Sequence, residues 1–225
     1  MSVKAIDHIY EAIIEANISK ADQYVNQMVL DTDYQGVLDN LLIPLLDRIG
    51  TGDETKWLNV AQGYVTSKIL RRILSEYEEA VNVDDAAEHD VVVLCNAEDD
   101  CHPLGRMIVA SILRGHGWGV VDLGIDVEPN SLLDAAERIG ARVVGVSAMT
   151  YTTASNIHKV REEITSRGLT GKIKLAVGGV PFRLDSQLVA EVEADGTAAN
   201  ALHAPALFRR LWDQTVDEEG DNHER

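Results

Sequence analysis

The sequence predicts a helical bundle joined to an α/β domain with a doubly wound parallel sheet, and three observations carry that prediction. Before about Asn82 the apolar residues recur at helical spacing. From about Asp90 onward, short β-branched runs alternate with helical segments. Between the two patterns lies Val81 to Asp90, an acidic stretch short of large apolar residues that reads as a linker.

In the first part, Ile6, Ile9, Tyr10, Ile13 and Ile14 mark one amphipathic helix. Ser19-Lys20-Ala21-Asp22 has the form of a capping box opening a second, which carries Ala21, Tyr24, Val25 and Met28. A third runs from about Tyr34 through Leu38, Leu41, Leu42, Leu45 and Leu46, bent at Pro44 and stopped at Gly50. After the polar turn Thr51 to Glu54, a long helix from about Lys56 to Glu79 carries Val60, Tyr64, Ile69, Ile73 and Leu74. Four amphipathic helices with short connections make residues 1–81 an all-α four-helix bundle.

In the second part, Val91 to Cys95, Gly119 to Leu123, Val143 to Val146 and Ile173 to Val177 are strand-like, with a weaker fifth candidate near Asp195 to Ala198. A last helix spans about Ala204 to Trp212. Near-continuous apolar strands separated by helices imply a sheet covered on both faces. Residues 90–213 therefore form a flavodoxin-like (Rossmann-like) domain with five parallel strands, whose ligands bind beyond the carboxyl ends of the strands. The charged tail, residues 214–225, is expected to be disordered.

Composition narrows the function. The 225 residues are 45% hydrophobic and 25% charged, ordinary for a folded soluble chain. Thirty-seven acidic against 20 basic side chains give a formal charge of −17, a field that repels phosphate backbones and anionic lipid. No apolar run approaches the roughly 20 residues that span a bilayer. The opening MSVKAIDHIYEAIIEAN places acids where a signal peptide needs an apolar core, so a cytoplasmic protein is expected, without direct nucleic-acid or membrane partners. Cys95 and Cys101 cannot build a disulfide framework, and reduced thiols are the default.

The chemistry-bearing residues fall after the strands. The loop beyond the first strand contains Asp100-Cys101-His102-Pro103-Leu104-Gly105. A carboxylate two residues before a histidine can accept from one ring nitrogen and leave the other free for a metal. Gly105 lets a bulky ligand approach the backbone. Alone, the triplet could equally be a solvated turn. Beyond the third strand come Ser147-Ala148-Met149-Thr150-Tyr151-Thr152-Thr153, beyond the fourth Gly178-Gly179-Val180-Pro181, and around the fifth Asp195-Gly196-Thr197. Each has a structural reading too: hydroxyls cap helices, and paired glycines make turns.

Together these residues resemble the cobalamin-binding domain family, whose pattern is Asp-x-His-x-x-Gly, then Ser-x-Leu, then Gly-Gly. Here it reads Asp100-x-His102-x-x-Gly105, Ser147-x-Met149 and Gly178-Gly179, with Met149 replacing leucine at similar volume. The helices of the Leu41 to Leu74 region resemble the cap of corrinoid methyltransferase carrier proteins. The resemblance implies that His102 ligates cobalt from below, displacing the cofactor's dimethylbenzimidazole. The nucleotide tail would then enter a slot lined by Ser147, Gly178 and Gly179. Thr153, six residues after Ser147, would extend Asp100 and His102 into a triad. The full candidate set for cofactor contact is Asp100 to Gly105, Ser147, Met149, Thr150, Thr153, Gly178, Gly179, Val180, Asp195, Gly196 and Thr197. A cobalt centre cycling between a methylated trivalent state and four-coordinate cobalt(I) needs a lower ligand whose basicity can change, and Asp100 could adjust His102 in that way. Cys101, a rival soft ligand, should point away from its neighbour.

On this likeness the chain is a methyl-carrying corrinoid subunit rather than a complete enzyme, holding methylcobalamin or hydroxocobalamin. Its partners would be a methyl-donor:corrinoid methyltransferase and a corrinoid-dependent acceptor methyltransferase, and a homodimer is compatible with the reading. The bundle would cover the cofactor at rest and move aside for each partner. The alternative is a cobalamin-dependent sensor or regulator, light-sensing with adenosylcobalamin or acting as an antirepressor. Light-sensing caps carry a tryptophan followed by a Glu-His pair. This chain has Trp57 but reads Ala61-Gln62-Gly63-Tyr64 where that pair is expected. Mutase small subunits share the cofactor domain but usually lack such a cap. A receiver domain would use Glu98-Asp99-Asp100 but needs a lysine after the last strand, where Gly196 to Asn200 has none. A zinc hydrolase lacks histidines at metal spacing. Trp57, Tyr64 and Trp118 are core aromatics or cap contacts.

Overall fold

In the computed structural model, residues 3–31, 44–45, 60–80 and 90–221 are described. The chain divides into two compact units, Met1–Asn82 and Val83–Arg225.

The first unit contains α1 (Val3–Ile14), α2 (Ile18–Asp31) and α3 (Val60–Ala80). Ile9, Ala12 and Ile13 of α1, Ala21 and Val25 of α2, and Val65, Ile69, Leu70 and Ile73 of α3 are buried, each set recurring every three or four residues. Two expectations shift. The cap of α2 is Asn17, whose Oδ1 accepts from Lys20 N at 3.0 Å, because the helix begins at Ile18, one residue before Ser19. Ile14 and Tyr64 lie exposed, since the buried stripe of α3 runs through Val65 and Ile69 and leaves Tyr64 beside it. Of the expected third helix, Pro44 and Leu45 are helical; the rest of it, Trp57 and the linker up to residue 89 lie outside the described residues.

The second unit is a five-stranded parallel sheet in the order β2-β1-β3-β4-β5. The strands are β1 (Val91–Asn96), β2 (Gly119–Asp122), β3 (Val143–Ser147), β4 (Lys174–Gly178) and β5 (Gly196–Thr197). The helices are α4 (Leu104–Gly115), α5 (Pro129–Ile139), α6 (Tyr151–Ser155), α7 (His158–Ser166), α8 (Val180–Leu184), α9 (Gln187–Glu191) and α10 (Ala204–Asp221). This is the expected flavodoxin-like arrangement. Side chains alternate across β1. Val92 and Leu94 join Ala110 and Leu113 of α4 and Leu207, Phe208 and Leu211 of α10 in one core. Val93 and Cys95 face Leu132, Leu133 and Ala136 of α5 and Val160 and Ile164 of α7 in the other. Burial of each such Val or Leu contributes about 1.5–3 kcal/mol, which explains why the strands read as unbroken apolar runs. Trp118 belongs to the first core, edge-on to Phe208 and Trp212, with the Arg209 guanidinium 4.4 Å from its ring centroid.

The last helix is longer than the sequence pattern indicates: α10 continues to Asp221, past residue 213, where the domain was expected to end. Its extension is anchored by Thr215, which is buried and donates its hydroxyl to Trp212 O at 2.6 Å. Residues 222–225 lie outside the described residues. Among the described residues, no helix is long and apolar enough to cross a membrane.

Candidate functional site

The strand order reverses between β1 and β3, the neighbours whose connections leave toward opposite faces of the sheet. A crevice forms at the carboxyl ends of such strands. Beyond β1 the chain turns tightly. Ala97 N donates to Ser147 O at 2.9 Å, and Asp100 N donates back to Ala97 O at 3.0 Å. Asp99 takes a left-handed φ of 65°, its N–H donating to Asp126 Oδ1 at 2.8 Å. The turn brings Asp100 inward over the sheet end, where it is 1% exposed.

The Asp100 carboxylate is satisfied on both oxygens. Oδ1 accepts from the Asn96 amide and from His102 N, each at 2.9 Å. Oδ2 accepts from Met149 N at 2.6 Å and from the Thr153 hydroxyl at 3.1 Å. Burial by itself would push this carboxyl up. The hydrogen bonds from His102, Met149, Asn96 and Thr153 outweigh burial and hold it below the ordinary carboxylate value. His102 Nδ1 lies 3.4 Å from Asp100 Oδ1, with the imidazole 59% exposed. The expected contact between ring and carboxylate is present, but at a distance longer than a good hydrogen bond. Cys101 between them is exposed.

Pro103 precedes α4, Leu104 opens it and Gly105 follows, exposed on its first turn. Beyond β3, Thr150 caps α6 in a reciprocal pair: its Oγ1 accepts from Thr153 N at 3.1 Å, and Thr150 N donates to Thr153 Oγ1 at 3.3 Å. Met149 protrudes, 46% exposed. Beyond β4, Gly179 has φ +116°, and a β-carbon there would stand 1.8 Å from Ala148 O. Val180 then opens α8.

The sequence-predicted residues from the first, third and fourth strands thus converge on one edge. Of those around the fifth, Asp195 and Gly196 do not. Asp195 precedes β5, level with Leu175 and about 10 Å short of the β4 carboxyl end at the usual strand rise. Its Oδ2 is engaged by Arg161 and by Leu175 N, both at 2.6 Å. A β-carbon on Gly196 would meet Arg210 and Leu207 of α10, so this glycine serves helix packing, whereas Thr197 ends β5 opposite Val177, one position short of Gly178. A residue the sequence reading missed is Asn96. Fully buried, it ends β1 and donates its amide to Asp100 Oδ1 and to His102 O, the latter at 3.0 Å. Its signal was an amide at the last position of an otherwise apolar strand.

Glu98 pairs with Lys159 at 2.7 Å rather than turning toward Asp100. Among the described residues, no three His, Cys, Asp or Glu side chains converge to hold a metal ion.

A family model described as the B12 binding domain matches residues 91–206, more than half of the chain. The chain belongs to the B12-binding domain family. Its cofactor class is therefore the corrinoid. The dimethylamine corrinoid protein of Methanosarcina barkeri is 34% identical to this B12-binding chain over 122 residues, 54% of this chain and 56% of the relative. The chain thus spans about half the length of that curated relative. The solved monomethylamine corrinoid protein of Methanosarcina barkeri shares the fold at a TM-score of 0.73 and 21% identity, covering 91% of this chain and 96% of that one. A chain of the methanol:cobalamin methyltransferase complex from Methanosarcina barkeri aligns at a TM-score of 0.51 and 23% identity, covering 94% of this chain and 80% of that one.

The carboxyl edge of this B12-binding domain has open backbone that suits a large cofactor. Ser147 pairs with Gly178 across β3 and β4. A β-carbon on Gly105 would have Ser147 Oγ as its nearest neighbour at 3.8 Å, and one on Gly178 would meet nothing within 4 Å. Backbone without side chains therefore leaves open space at the carboxyl edge of β4 and at the start of α4.

Proposed function

We propose that this chain is a corrinoid carrier. It binds cobalamin through residues 90–213 and presents His102 as the lower cobalt ligand in place of dimethylbenzimidazole. It carries a methyl group from a donor:corrinoid methyltransferase to a corrinoid-dependent acceptor methyltransferase. The observation that carries this reading is the buried Asp100 carboxylate, held by four donors, with the solvent-facing His102 ring 3.4 Å away. The dimethylamine corrinoid relative and the solved methyltransferase complex support the choice of partners.

When bound, the corrinoid supplies a cobalt centre that accepts a methyl group and gives it up again. Asp100 stands 3.4 Å from Nδ1, placed to orient the imidazole so that the other ring nitrogen faces the cobalt. The single hydroxyl proton of Thr153 can go to Asp100 Oδ2 at 3.1 Å, to Thr150 O at 3.1 Å or to Thr150 Oγ1 at 2.9 Å. Turned toward Asp100 it stabilises the carboxylate; turned toward Thr150 it leaves Oδ2 with the Met149 N–H as its donor. Gly105, Ser147, Gly178 and Gly179 hold the nucleotide tail, and Met149 adds apolar cover.

The test starts with apo protein mixed with hydroxocobalamin and passed through a desalting column, where a corrin spectrum is expected in the eluate. Reduced by a strong low-potential reductant, the loaded protein should then take a methyl group from methyl iodide. A colourless eluate would overturn the binding mode. Selective adenosylcobalamin binding with a light-driven change in oligomer size, and no methylation after reduction, would replace the carrier by a regulator.

A further inference from the structure

We infer that Arg106, acting through Asn96, is a positioning residue for cobalt ligation by His102. The inference rests on the lower-ligand reading above and extends it to two residues outside the cobalamin motif.

Arg106 follows Gly105 in the first turn of α4 and is 6% exposed. A guanidinium is costly to bury unless its donors are used. This one forms an ion pair with Asp122 at the end of β2, and its Nε donates to Asn96 Oδ1 at 2.8 Å. The second bond sets the polarity of the Asn96 amide. With Oδ1 turned to the guanidinium, the amide nitrogen must face the loop, where its two protons go to Asp100 Oδ1 at 2.9 Å and His102 O at 3.0 Å. The flipped amide would set its oxygen against that carboxylate oxygen and that carbonyl, and its nitrogen against the guanidinium. Every contact would then be repulsive.

The consequence reaches His102 from both sides of its own backbone. Its N–H is held by Asp100 Oδ1 and its carbonyl by Asn96 Nδ2, so the backbone that carries the ring is fastened at both peptide groups. The same amide steadies the carboxylate against which the ring rests. Arg106 therefore acts on the ligand through an amide, without touching the imidazole. Asp122 supplies the built-in control: it pairs with Arg106 and accepts from Gly124 N at 2.9 Å. Among the described residues no hydrogen bond links it to Asn96, Asp100 or His102.

The experiment uses the full chain, uniformly labelled with 15N and loaded with unlabelled cobalamin, in the cobalt(II) state. In its paramagnetic resonance spectrum a protein nitrogen ligand splits the lines into doublets, whereas the cofactor's own 14N base gives triplets. Doublets are expected for the wild type; triplets would overturn the lower-ligand reading itself. In Arg106→Met and Asn96→Ala the doublets should give way partly or wholly to triplets, with cobalamin affinity about 10- to 100-fold weaker, the usual consequence of removing a group that orients a metal ligand. Asp122→Asn should lower thermal stability yet keep the doublets. Doublets and wild-type affinity in folded Arg106→Met would overturn the inference while leaving the lower-ligand reading intact. Should those variants not fold, the wild type decides. The Arg106 Nε–H and Asn96 amide resonances should move when cobalamin binds, and move less in His102→Ala. Equal movement in the two proteins, or none, would overturn the inference.

Discussion

The carbonyl oxygen of Ala148 occupies the position that a side chain on Gly179 would need. The two residues follow adjacent strands, and the peptide after β3 closes directly on the backbone after β4, while Ala148 N donates to Gly178 O at the end of β4, 3.0 Å away.

Gly179→Ala is therefore expected to destabilise the α/β unit even without ligand. A β-carbon 1.8 Å from a carbonyl oxygen cannot be accommodated without moving one loop, and φ +116° adds strain of about 1–3 kcal/mol. A thermal melt of the apo variant should show a lower midpoint; an unchanged midpoint would mean that the loops move apart freely.

Gly178→Val should behave in the opposite way. Nothing lies within 4 Å of its β-carbon position, so the apo fold should melt within about 0.5 kcal/mol of wild type, as ordinary exposed substitutions do. The added methyls enter the space assigned to the nucleotide tail. Retention of cobalamin through a desalting column should fall sharply, and full retention would place the tail elsewhere.

His102→Ala removes a ring that is largely solvent-exposed, so the apo protein should fold as before. Cobalamin affinity should drop about tenfold or more, and the spectrum of the residual complex should differ from wild type. Identical spectra would show that another group ligates cobalt.

Asp100→Asn tests the buried carboxylate. Because the folded state holds Asp100 ionised below its ordinary value of 3.8, its contribution to stability is fully present above that pH and is lost as the pH falls toward the folded value. At neutral pH the variant should lose about 1–3 kcal/mol, since an amide cannot accept from donors on both sides. Urea denaturation at neutral pH and below about pH 4 should show the gap between wild type and variant narrowing in acid. A constant gap would assign the effect to packing.

The two thiols should separate by reactivity. Burial pushes the Cys95 thiol up to about 12, against the opposing charge of Arg106, whereas Cys101 is exposed on the ligand loop. Iodoacetamide should label Cys101 in the native protein and reach Cys95 only after denaturation, as read by peptide mass.

The motif residues Asp100, His102 and Gly105 were legible because their relation is local: one turn and the start of one helix set it. Asn96 was not, because an amide at a strand end has many uses until Arg106, ten positions on, is carried back over it by α4. Asp195 misled for a related reason. A two-residue strand is too short for the pattern to place its bounds, so Asp195 read as part of it although it precedes β5, where Arg161 and the Leu175 amide claim it.

Periodicity, charge and spacing within each loop were enough to predict the two kinds of architecture, the parallel sheet and the residue types at its carboxyl edge. Those are short-range properties, set by side-chain alternation and by turns of a few residues. Which loops meet is another matter. Asp100 reaches Met149 and Thr153 across 49 and 53 positions only because β1 and β3 are neighbours, with Asn96 opposite Ser147 in register. Strand order and register are decided by the packing of helices on both faces of the sheet, and a one-residue slip would turn every one of these side chains to the wrong face.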